Sequence, residues 1–517
     1  MIAYTTANSA GDGASANVTS EITSVERLTF AAAKARRFST DVHSLVISSY
    51  AEDVPFSPAT YRASVNEPSH PGKLQTADGR WWEMVDGNVS LFAFGAKGDG
   101  GDVFKELQDA LDYLSAKGGG ELFIPQGRFS FSKDVRILGH NITLRGVGPA
   151  SRLSGTNNAR LIVGKAELLP DGMKTGTKTI GTRICNLHVA PAGNHSGECV
   201  LLDFADNTTI SDSVVGPFVL DGTTVAHGIK TNWVQYTEFR NVLIIVNGYG
   251  IYIVLPKTQT ENEDHFSVSS SWIYCGKFRN KEFSPACLAI EREAGRGAAI
   301  FQLSLSSCHL GAFMSGDGDN KHTTGVKYIS TEPVDSRLTH AFQLNNCMFE
   351  YVLTGIDMKS ATHGDTSRVI MVGCSFLGQA VCLLGWKTKS IATVISSYFL
   401  QCGMIVDGPR VSFVGANVQT AVNKVSAQEL TYHSFSDKYL PGSLSGVRLA
   451  ERGVIFVNKN SSHVVIPHNM SGVPNSIRIS TSWDTTWWLG GVSGSDFVVH
   501  FGSPAPKKMT LNWDAEL

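Results

Sequence analysis

The sequence has little charge, and what it has is balanced. Lys and Arg number 44 and Asp and Glu number 46 among 517 residues, charged residues make up 17%, and the formal net charge is −2. A protein that binds nucleic acid by neutralising phosphates needs a basic excess on its surface. The composition therefore argues against a nucleic-acid partner.

The sequence also lacks paired cysteines. It has nine, an odd number, and none of them form a Cys-x-x-Cys pair. This excludes a disulfide framework and a cysteine-based zinc site. The segment from Asp317 to Lys321 begins like a calcium loop, but it lacks the later ligands of that motif. We expect no metal and no other cofactor.

Long hydrophobic runs are missing too. No window approaches 18 uninterrupted apolar residues, the length of a membrane-spanning helix. The first residues, Met1-Ile-Ala-Tyr-Thr, have neither the basic nor the apolar region of a signal peptide. We expect no membrane insertion, and a protein that is made in the cytoplasm and either stays there or leaves by another route such as lysis.

The first 90 residues read as a separate head region. Residues 5–20 are mostly small and polar, which is typical of a poorly ordered tail. Helical spacing of apolar residues predicts a helix from Ser24 to Phe38. Residues 61–86 predict a small β unit that turns at Ala77-Asp78-Gly79 and ends in Arg80 to Val85.

A sharper pattern follows between residues 91 and 127. A short strand beginning at Phe92 leads into a glycine-rich turn that ends at Gly100. Val103 to Ala116 has the apolar spacing of an amphipathic helix, which Gly118-Gly119-Gly120 stops. A strand from Glu121 to Pro125 comes next. We expect this helix to cap a larger β structure.

Short apolar runs, each centred on a small or polar residue, recur from about residue 135. Their centres lie roughly 20 to 45 residues apart, the period of stacked solenoid coils. A tight interior turn accepts only small side chains, so the cysteines among them are interpreted as inert, buried rungs. The central residues are Asn141, Asn186, Ser213, Asn241, Ser271, Cys308, Cys347, Cys374, Ser397 and Asn417.

The pattern changes again at Tyr439-Leu-Pro-Gly442, after which alternating strands predict an antiparallel β-sandwich. The predicted fold is all-β: a right-handed parallel β-helix with an N-terminal capping helix and a C-terminal β-sandwich. The predicted domains are a head over residues 1–90, the β-helix over 91–438, and a sandwich over 439–517 for trimerisation or carbohydrate binding.

Residues 94–127 resemble the opening motif of the pectate-lyase superfamily, in the form found in phage tailspikes and polysaccharide depolymerases. The motif comprises Phe94-Gly-Ala-Lys-Gly-Asp-Gly100, the helix, and Gly118-Gly-Gly-Glu-Leu-Phe-Ile-Pro-Gln-Gly127. Where the family usually has a paired aspartate and threonine, this chain has Gly101-Asp102-Val103. The resemblance implies a homotrimer on a virion tail, joined to a tail or baseplate adaptor by its head, that binds a bacterial surface polysaccharide.

Cleavage of such a polymer by hydrolysis requires two carboxyl groups, about 5–5.5 Å apart for retention of configuration and about 6.5–9.5 Å for inversion. Neighbouring coils lie about 4.8 Å apart, so carboxylates one or two coils apart fall within this range. Aligning the coils puts Ala289, Lys327 and Asp357 in one column and Glu291 in the next. The catalytic candidates, in falling order, are Glu350, Asp357, Glu291, Asp317 and Asp319.

Two other readings remain open. A lyase acting on a uronic acid would use a base with a cation beside the substrate carboxylate; the base candidates are His309, His322, His340 and Tyr328, and the cation candidates are Lys327 and Arg337. The third reading is a spike that binds without cutting. In each case, aromatic side chains would stack against sugar rings, and the substrate-binding candidates are Trp272, Tyr274, Tyr351, Lys327 and Trp386.

Overall fold

The computed structural model describes most of the chain from residue 28 onward. The described ranges are 28–168, 174–191, 195–216, 224–256, 263–276, 283–293, 300–312, 323–330, 339–358, 368–379, 381–384, 391–400, 402, 404–414, 416–419, 424–432, 435–436, 449–467, 473–474, 476–493 and 496–516. The chain divides into two compact units, one of residues 1–219 with 228–243 and the other of residues 220–227 with 244–517. No helix in these ranges is long and apolar enough to cross a membrane.

The first unit begins with a five-stranded sheet and a short helix. The helix, Phe30–Ala35, is shorter than predicted and ends where Arg36 adopts an extended conformation; residues 24–27 lie outside the described ranges. The predicted turn is confirmed at Gly79, whose φ is +84°. In spatial order, the strands are Leu28–Thr29, Ser44–Ser49, Ala59–Ser64, Trp81–Met84 and Lys73–Gln75.

The capping helix is confirmed as Phe104–Ala116, with Leu107, Leu111 and Leu114 fully buried. The strand predicted from Phe92 is wrong, because Leu91–Phe94 forms a 3-10 helix. The Ser90 hydroxyl accepts a hydrogen bond from the Phe92 amide at its start, and Gly95 ends it with a φ of +104°. Such a φ favours glycine, which has no Cβ to clash.

After the helix, the first unit winds into coils whose strands pair in parallel. One sheet contains Asn88–Ser90, Gly120–Phe123, Val135–Ile137, Ile142–Arg145, Leu161–Val163, Thr179–Ile180, Arg183–Cys185, Gly197–Asp203, Ala205–Ser211 and Gln235–Arg240. The other contains Asp99–Asp102, Gly127–Phe131, Ser151–Gly155, His188–Pro191 and Val214–Val215. A hairpin of Lys165–Leu168 and Lys174–Thr177 projects from these coils. Strands Ala226–Asn232 and Leu243–Val246 lie at the division between the two units.

The second unit contains three stacks of parallel strands. The first stack is Tyr249–Leu255, Ala286–Arg292, Thr324–Ser330, Thr354–Asp357, Val381–Leu384, Met404–Val414 and Lys424–Tyr432. The second is Glu263–Ser269, Ile300–Ser306, Thr339–Asn345, Arg368–Val372 and Ile391–Ile395. The third is Trp272–Cys275, His309–Ala312, Met348–Glu350, Ser375–Leu377, Tyr398–Leu400, Ala416–Gln419 and Phe435–Ser436. The parallel β-helix predicted from the repeats is confirmed.

Like residues stack inside these coils. Phe349, Phe376 and Phe399 are fully buried on three successive strands, and their ring centroids lie 4.6 and 4.9 Å apart. Cys308, Cys347 and Cys374 are also buried, at 2%, 1% and 1% exposure, as predicted for interior rungs. Repeated burial of this kind is what holds a solenoid together, because each coil covers only its neighbours.

Each coil turns at a residue whose backbone is in the left-handed conformation. In six of the ten repeats, the sequence pattern centred the turn one residue too late: Ser307, Asn346 and Gly373 have φ values of +52°, +52° and +63°, and the cysteines that follow them point inward. Asn, Asp and Gly recur there because they adopt this conformation more readily than other residues do, and Ser occupies three of the turns. The full set described is Asn141, Asn186, Asp212, Asn241, Ser270, Ser307, Asn346, Gly373 and Ser396. The side chain of Asn417 lies outside the described residues.

The C-terminal residues form two antiparallel groups of three strands, and the first group continues the coils, because Leu449 and Ala450 pair in parallel with Leu430 and Thr431. One consists of Leu449–Val457, Met509–Glu516 and Ser476–Thr481. The other consists of His463–Pro467, Asp496–Phe501 and Trp487–Val492. The two sheets meet through the rings of Phe497 and Trp513, whose centroids lie 5.3 Å apart.

A charged cluster joins three coils of the first unit. Arg160 donates from Nη2 to Asp134 Oδ2 and from Nη1 to Glu198 Oε1, both at 2.7 Å. Burial alone would raise the pKa of Asp134, but the hydrogen bonds from Arg160 outweigh it and lower the pKa. A carboxyl group with a lowered pKa stabilises the fold fully above its unfolded value, about 3.9, and loses that contribution as the pH falls through the folded value.

We therefore expect Asp134→Asn to lower the free energy of unfolding by about 1–3 kcal/mol at pH 7, since it leaves Arg160 without its main partner. The loss should shrink as the pH is lowered below about 4, where the parent also loses the charge. Thermal melts of both proteins from pH 7 to pH 3 measure this. Glu167→Gln is the control, because its ion pair with Lys165 is exposed and contributes little. A loss of the same size at pH 3 would contradict the assignment.

Candidate active site and carbohydrate-binding faces

The outward side of the first stack brings three of the predicted residues together. Lys327 pairs in register with Ala289 on one side and Asp357 on the other. Glu291 pairs with Ile329, two residues further along the strands. The predicted alignment of these columns is confirmed. Glu291 and Asp357 therefore lie two coils apart on one face, with Lys327 on the coil between them.

Glu291 is held by a tyrosine on the preceding coil. Tyr252 pairs in register with Ala289, and its phenol reaches past that small residue to donate a hydrogen bond to Glu291 Oε2. Burial, followed by the hydrogen bond to Glu291 and the charge of that carboxylate, raises the pKa of Tyr252. Burial likewise raises the pKa of Tyr249 to about 12. Both side chains therefore remain protonated phenols at neutral pH and act as hydrogen-bond donors.

Lys327 is the cation of this face. Its ammonium donates to the carbonyl oxygen of Ser284 at 3.3 Å and lies 5.9 Å from the ring centre of Tyr249. Burial lowers its pKa, while the charges of Asp357 and Glu291 act in the opposite direction.

Sequence reasoning did not select the aromatic side chains beside these charges. His227 stacks on Tyr249 at 5.0 Å between centroids, and Tyr249 lies 4.9 Å from Tyr252 and 5.1 Å from Phe283. The His227 Nδ1 accepts a hydrogen bond from the Tyr249 amide at 2.9 Å. The sequence signal that could have identified these residues is their spacing, because His227 and Tyr249 are one coil length apart in the sequence.

This face has the groups needed for acid and base catalysis on a sugar polymer. Two coils correspond to about 10 Å along the solenoid axis, and two residues to about 7 Å along a strand. The two backbone positions are therefore about 12 Å apart, and inversion would require the side chains to bring the carboxyl groups to about 6.5–9.5 Å of each other. In the described ranges, no group of three or more His, Cys, Asp or Glu is arranged to hold a metal.

Glu350 lies on a different face, the outward side of the third stack. It pairs in register with Gly311, which pairs in turn with Tyr274. Its Oε2 lies 2.7 Å from His309 Nε2, and the Tyr274 hydroxyl is 3.5 Å from His309 Nδ1. Trp272, 56% exposed, lies 5.7 Å from the His309 ring. Glu350 therefore shares a face with the candidates Trp272 and Tyr274, and not with Glu291 or Asp357.

Of the remaining candidates, some lie within the described residues and others do not. Tyr351 follows Glu350 in a left-handed conformation and is 38% exposed. Tyr328 is fully buried, with its hydroxyl 3.3 Å from Thr339, so its assignment as an exposed base is wrong. The residues Asp317, Asp319, Trp386, His322 and Arg337, and the side chain of His340, lie outside the described residues.

Structures of known proteins resemble this chain, although sequences do not. No protein-family model and no curated protein match it in sequence at a significant level. Tailspike protein 2 of the Escherichia coli O157:H7 bacteriophage CAB120 has a TM-score of 0.53 and 11% identity, over 94% of this chain and 71% of that one. The gp42 tailspike of Acinetobacter phage vb_AbaP_AS12 has a TM-score of 0.52 and 12% identity, over 92% of both chains.

The chain shares its fold with phage tailspikes. Identities of 11% and 12% are too low to transfer individual residues, so the likeness concerns the β-helix and not the chemistry carried on it. The faces described above must therefore be assigned from their own geometry.

Proposed function

We propose that this protein is a phage tailspike that binds a bacterial surface polysaccharide (capsule, exopolysaccharide or O-antigen) and cuts it by endo-glycosidic hydrolysis. The observation that carries the proposal is the pair Glu291 and Asp357 on one face of parallel coils, with Lys327 between them. One carboxyl group acts as the acid on the leaving oxygen and the other as the base on water. Tyr249 and Tyr252 supply rings and hydroxyl groups beside the scissile bond.

The state of the tyrosines favours hydrolysis over β-elimination. A lyase base must give up its proton readily near the working pH. The raised pKa values of Tyr249 and Tyr252 make both poor bases. His309 lies on the third stack and Lys327 on the first, so they do not form a base and cation pair on one face.

Analysis of the products tests the reaction class. Incubation with capsules and O-antigens from candidate hosts should release oligosaccharides with new reducing ends and no ultraviolet absorbance from an unsaturated uronate. Appearance of that absorbance would instead establish elimination. Binding with no fragments released would show that the protein is a receptor-binding spike that does not cut the polysaccharide. The same polysaccharide with boiled protein is the control.

We further propose that the protein acts as a homotrimer on the virion tail, outside the cell, and that its head region joins a tail or baseplate adaptor. The C-terminal sheets support self-association. Every residue of the edge strand Trp487–Val492 is exposed, with Trp487 at 37% and Trp488 at 52%. Its other edge pairs with no strand in the described part of the chain. Exposed apolar edge strands in soluble proteins are normally covered by a partner.

A further inference from the structure

The outward side of the third stack has a rigid aromatic platform that the cutting reaction does not use. Trp272 is 56% exposed, while the next residue along the strand, Ile273, is fully buried, as is Cys275. The buried residues fix the backbone, so the indole is presented without any ordering of the chain. A pre-ordered ring loses little conformational entropy when a ligand stacks on it.

Hydrogen-bonding groups lie beside this platform. The His309 and Glu350 side chains, 18% and 26% exposed, are in contact at 2.7 Å. The ring of His309 lies 5.7 Å from Trp272 and 5.3 Å from Tyr274. A carboxylate, an imidazole and a phenol next to an exposed indole combine an apolar surface with a few fixed polar groups, which is the usual composition of a small-ligand site.

The position of Tyr274 depends on a glycine in the next coil. A Cβ at Gly311 would lie 2.6 Å from Cε1 of Tyr274, which is closer than real side-chain contacts allow. Tyr274, Gly311 and Glu350 pair in register on successive strands. The tyrosine ring therefore lies over Gly311, in the direction of Glu350, and this arrangement is built into the stacking.

The charge of this face indicates which sugars it accepts. Five successive strands of the third stack present ten outward positions, of which one is a carboxylate, Glu350, and none is Lys or Arg. These positions are Trp272, Tyr274, His309, Gly311, Met348, Glu350, Ser375, Leu377, Tyr398 and Leu400. A uronic acid would meet the Glu350 carboxylate here, with no Lys or Arg among these ten positions to bind its own negative charge. An uncharged ring with hydroxyl groups carries no such charge.

We propose that this face is a second saccharide-binding site, separate from the Glu291 and Asp357 face, that holds an uncharged sugar of the polymer without cutting it. The apolar side of the ring stacks on Trp272, and its hydroxyl groups bond to His309 and Glu350. The inference rests on the proposed function in taking a polysaccharide as the ligand. Binding of the same polymer at a second site raises the effective concentration of the polymer at the cutting face.

The experiment uses the full chain carrying Glu291→Gln and Asp357→Asn and an array of purified bacterial polysaccharides, some with uncharged repeats and some with uronic acids. We expect retention of at least one uncharged polysaccharide, and at least a tenfold loss of affinity when Trp272→Ala is added. Glu350→Gln should also weaken retention, and Trp272→Phe should restore most of it. Phe301→Ala is the matched control, because Phe301 is also 56% exposed but lies in the second stack.

Equal affinity after Trp272→Ala and Phe301→Ala, or retention of uronic-acid polymers only, would overturn the second site. In the unmutated background, Trp272→Ala should slow the cutting of long polysaccharide more than the cutting of short oligosaccharides; an equal loss on both substrates would place Trp272 in the cutting site instead. A parent chain that neither binds nor cuts any polysaccharide would contradict the proposed function itself. Residual cutting by the doubly substituted chain would contradict only the catalytic pair.

Discussion

Replacing Glu291 with Gln or Asp357 with Asn should lower the rate of depolymerisation at least 100-fold, the scale of effect expected from losing a general acid or base. Each amide keeps the size of the side chain but can neither release a proton to the leaving oxygen nor take one from water. Binding should persist, because Tyr249, Tyr252 and Phe283 remain in place. The rate of release of reducing ends from a polysaccharide that the parent cuts gives the measurement.

A matched variant separates the loss of a catalytic carboxyl group from the loss of one negative charge. Glu293 lies two residues beyond Glu291, outside the strand, and is exposed. Glu293→Gln removes the same negative charge and should leave the rate unchanged. Circular dichroism and melting curves check that all three variants fold. An active Asp357→Asn protein with an inactive Glu291→Gln protein would show that the second carboxyl group lies elsewhere.

The sequence predicted the coils well because the forces that form them are local and repeated. The recurring small residues mark turns in which backbone sterics accept few residue types, so a single chain is enough to locate them. The one-residue error at Cys308, Cys347 and Cys374 has a physical origin. The residue that turns and the residue that points inward are neighbours and are both small, and composition alone does not separate them.

The site was harder to predict because it depends on register between strands. Lys327 and Asp357 were aligned correctly, since the strands that carry them have similar apolar patterns. Glu350 was grouped with them because it is close to Asp357 in the sequence. The turn between these two residues instead leads from the third stack to the first. Proximity along a solenoid chain therefore does not imply proximity on one face.

The aromatic cluster shows a second limit. Tyr249 and Tyr252 lie on one strand, and their neighbours in the next coil, Ala286 and Ala289, are the small residues that make room for the rings. His227 belongs to an earlier part of the chain. Complementarity between large and small residues on adjacent coils becomes visible only when the register is known.

Replacing both Trp487 and Trp488 with Ser should convert the protein from trimer to monomer. Light scattering after size exclusion should give about three times 55.7 kDa for the parent and the single-chain mass for the variant. These residues lie on an edge strand that is exposed along its whole length, and a soluble protein covers such a strand to avoid open-ended association. The two tryptophans are the largest apolar side chains on this strand, so replacing them removes much of the apolar area that the strand offers to the proposed contact between subunits.

The control is Phe456→Ser, which removes a ring that is 63% exposed on the other C-terminal sheet and should leave the trimer intact. Circular dichroism should show unchanged β-helix content in both variants, since the coils bury their own cores. If the protein with both tryptophans replaced stays trimeric but binds polysaccharide less tightly, the strand is a carbohydrate-binding surface and the subunits meet elsewhere. If it becomes monomeric and still cuts short oligosaccharides at the parent rate, the Glu291 and Asp357 face is complete within one chain.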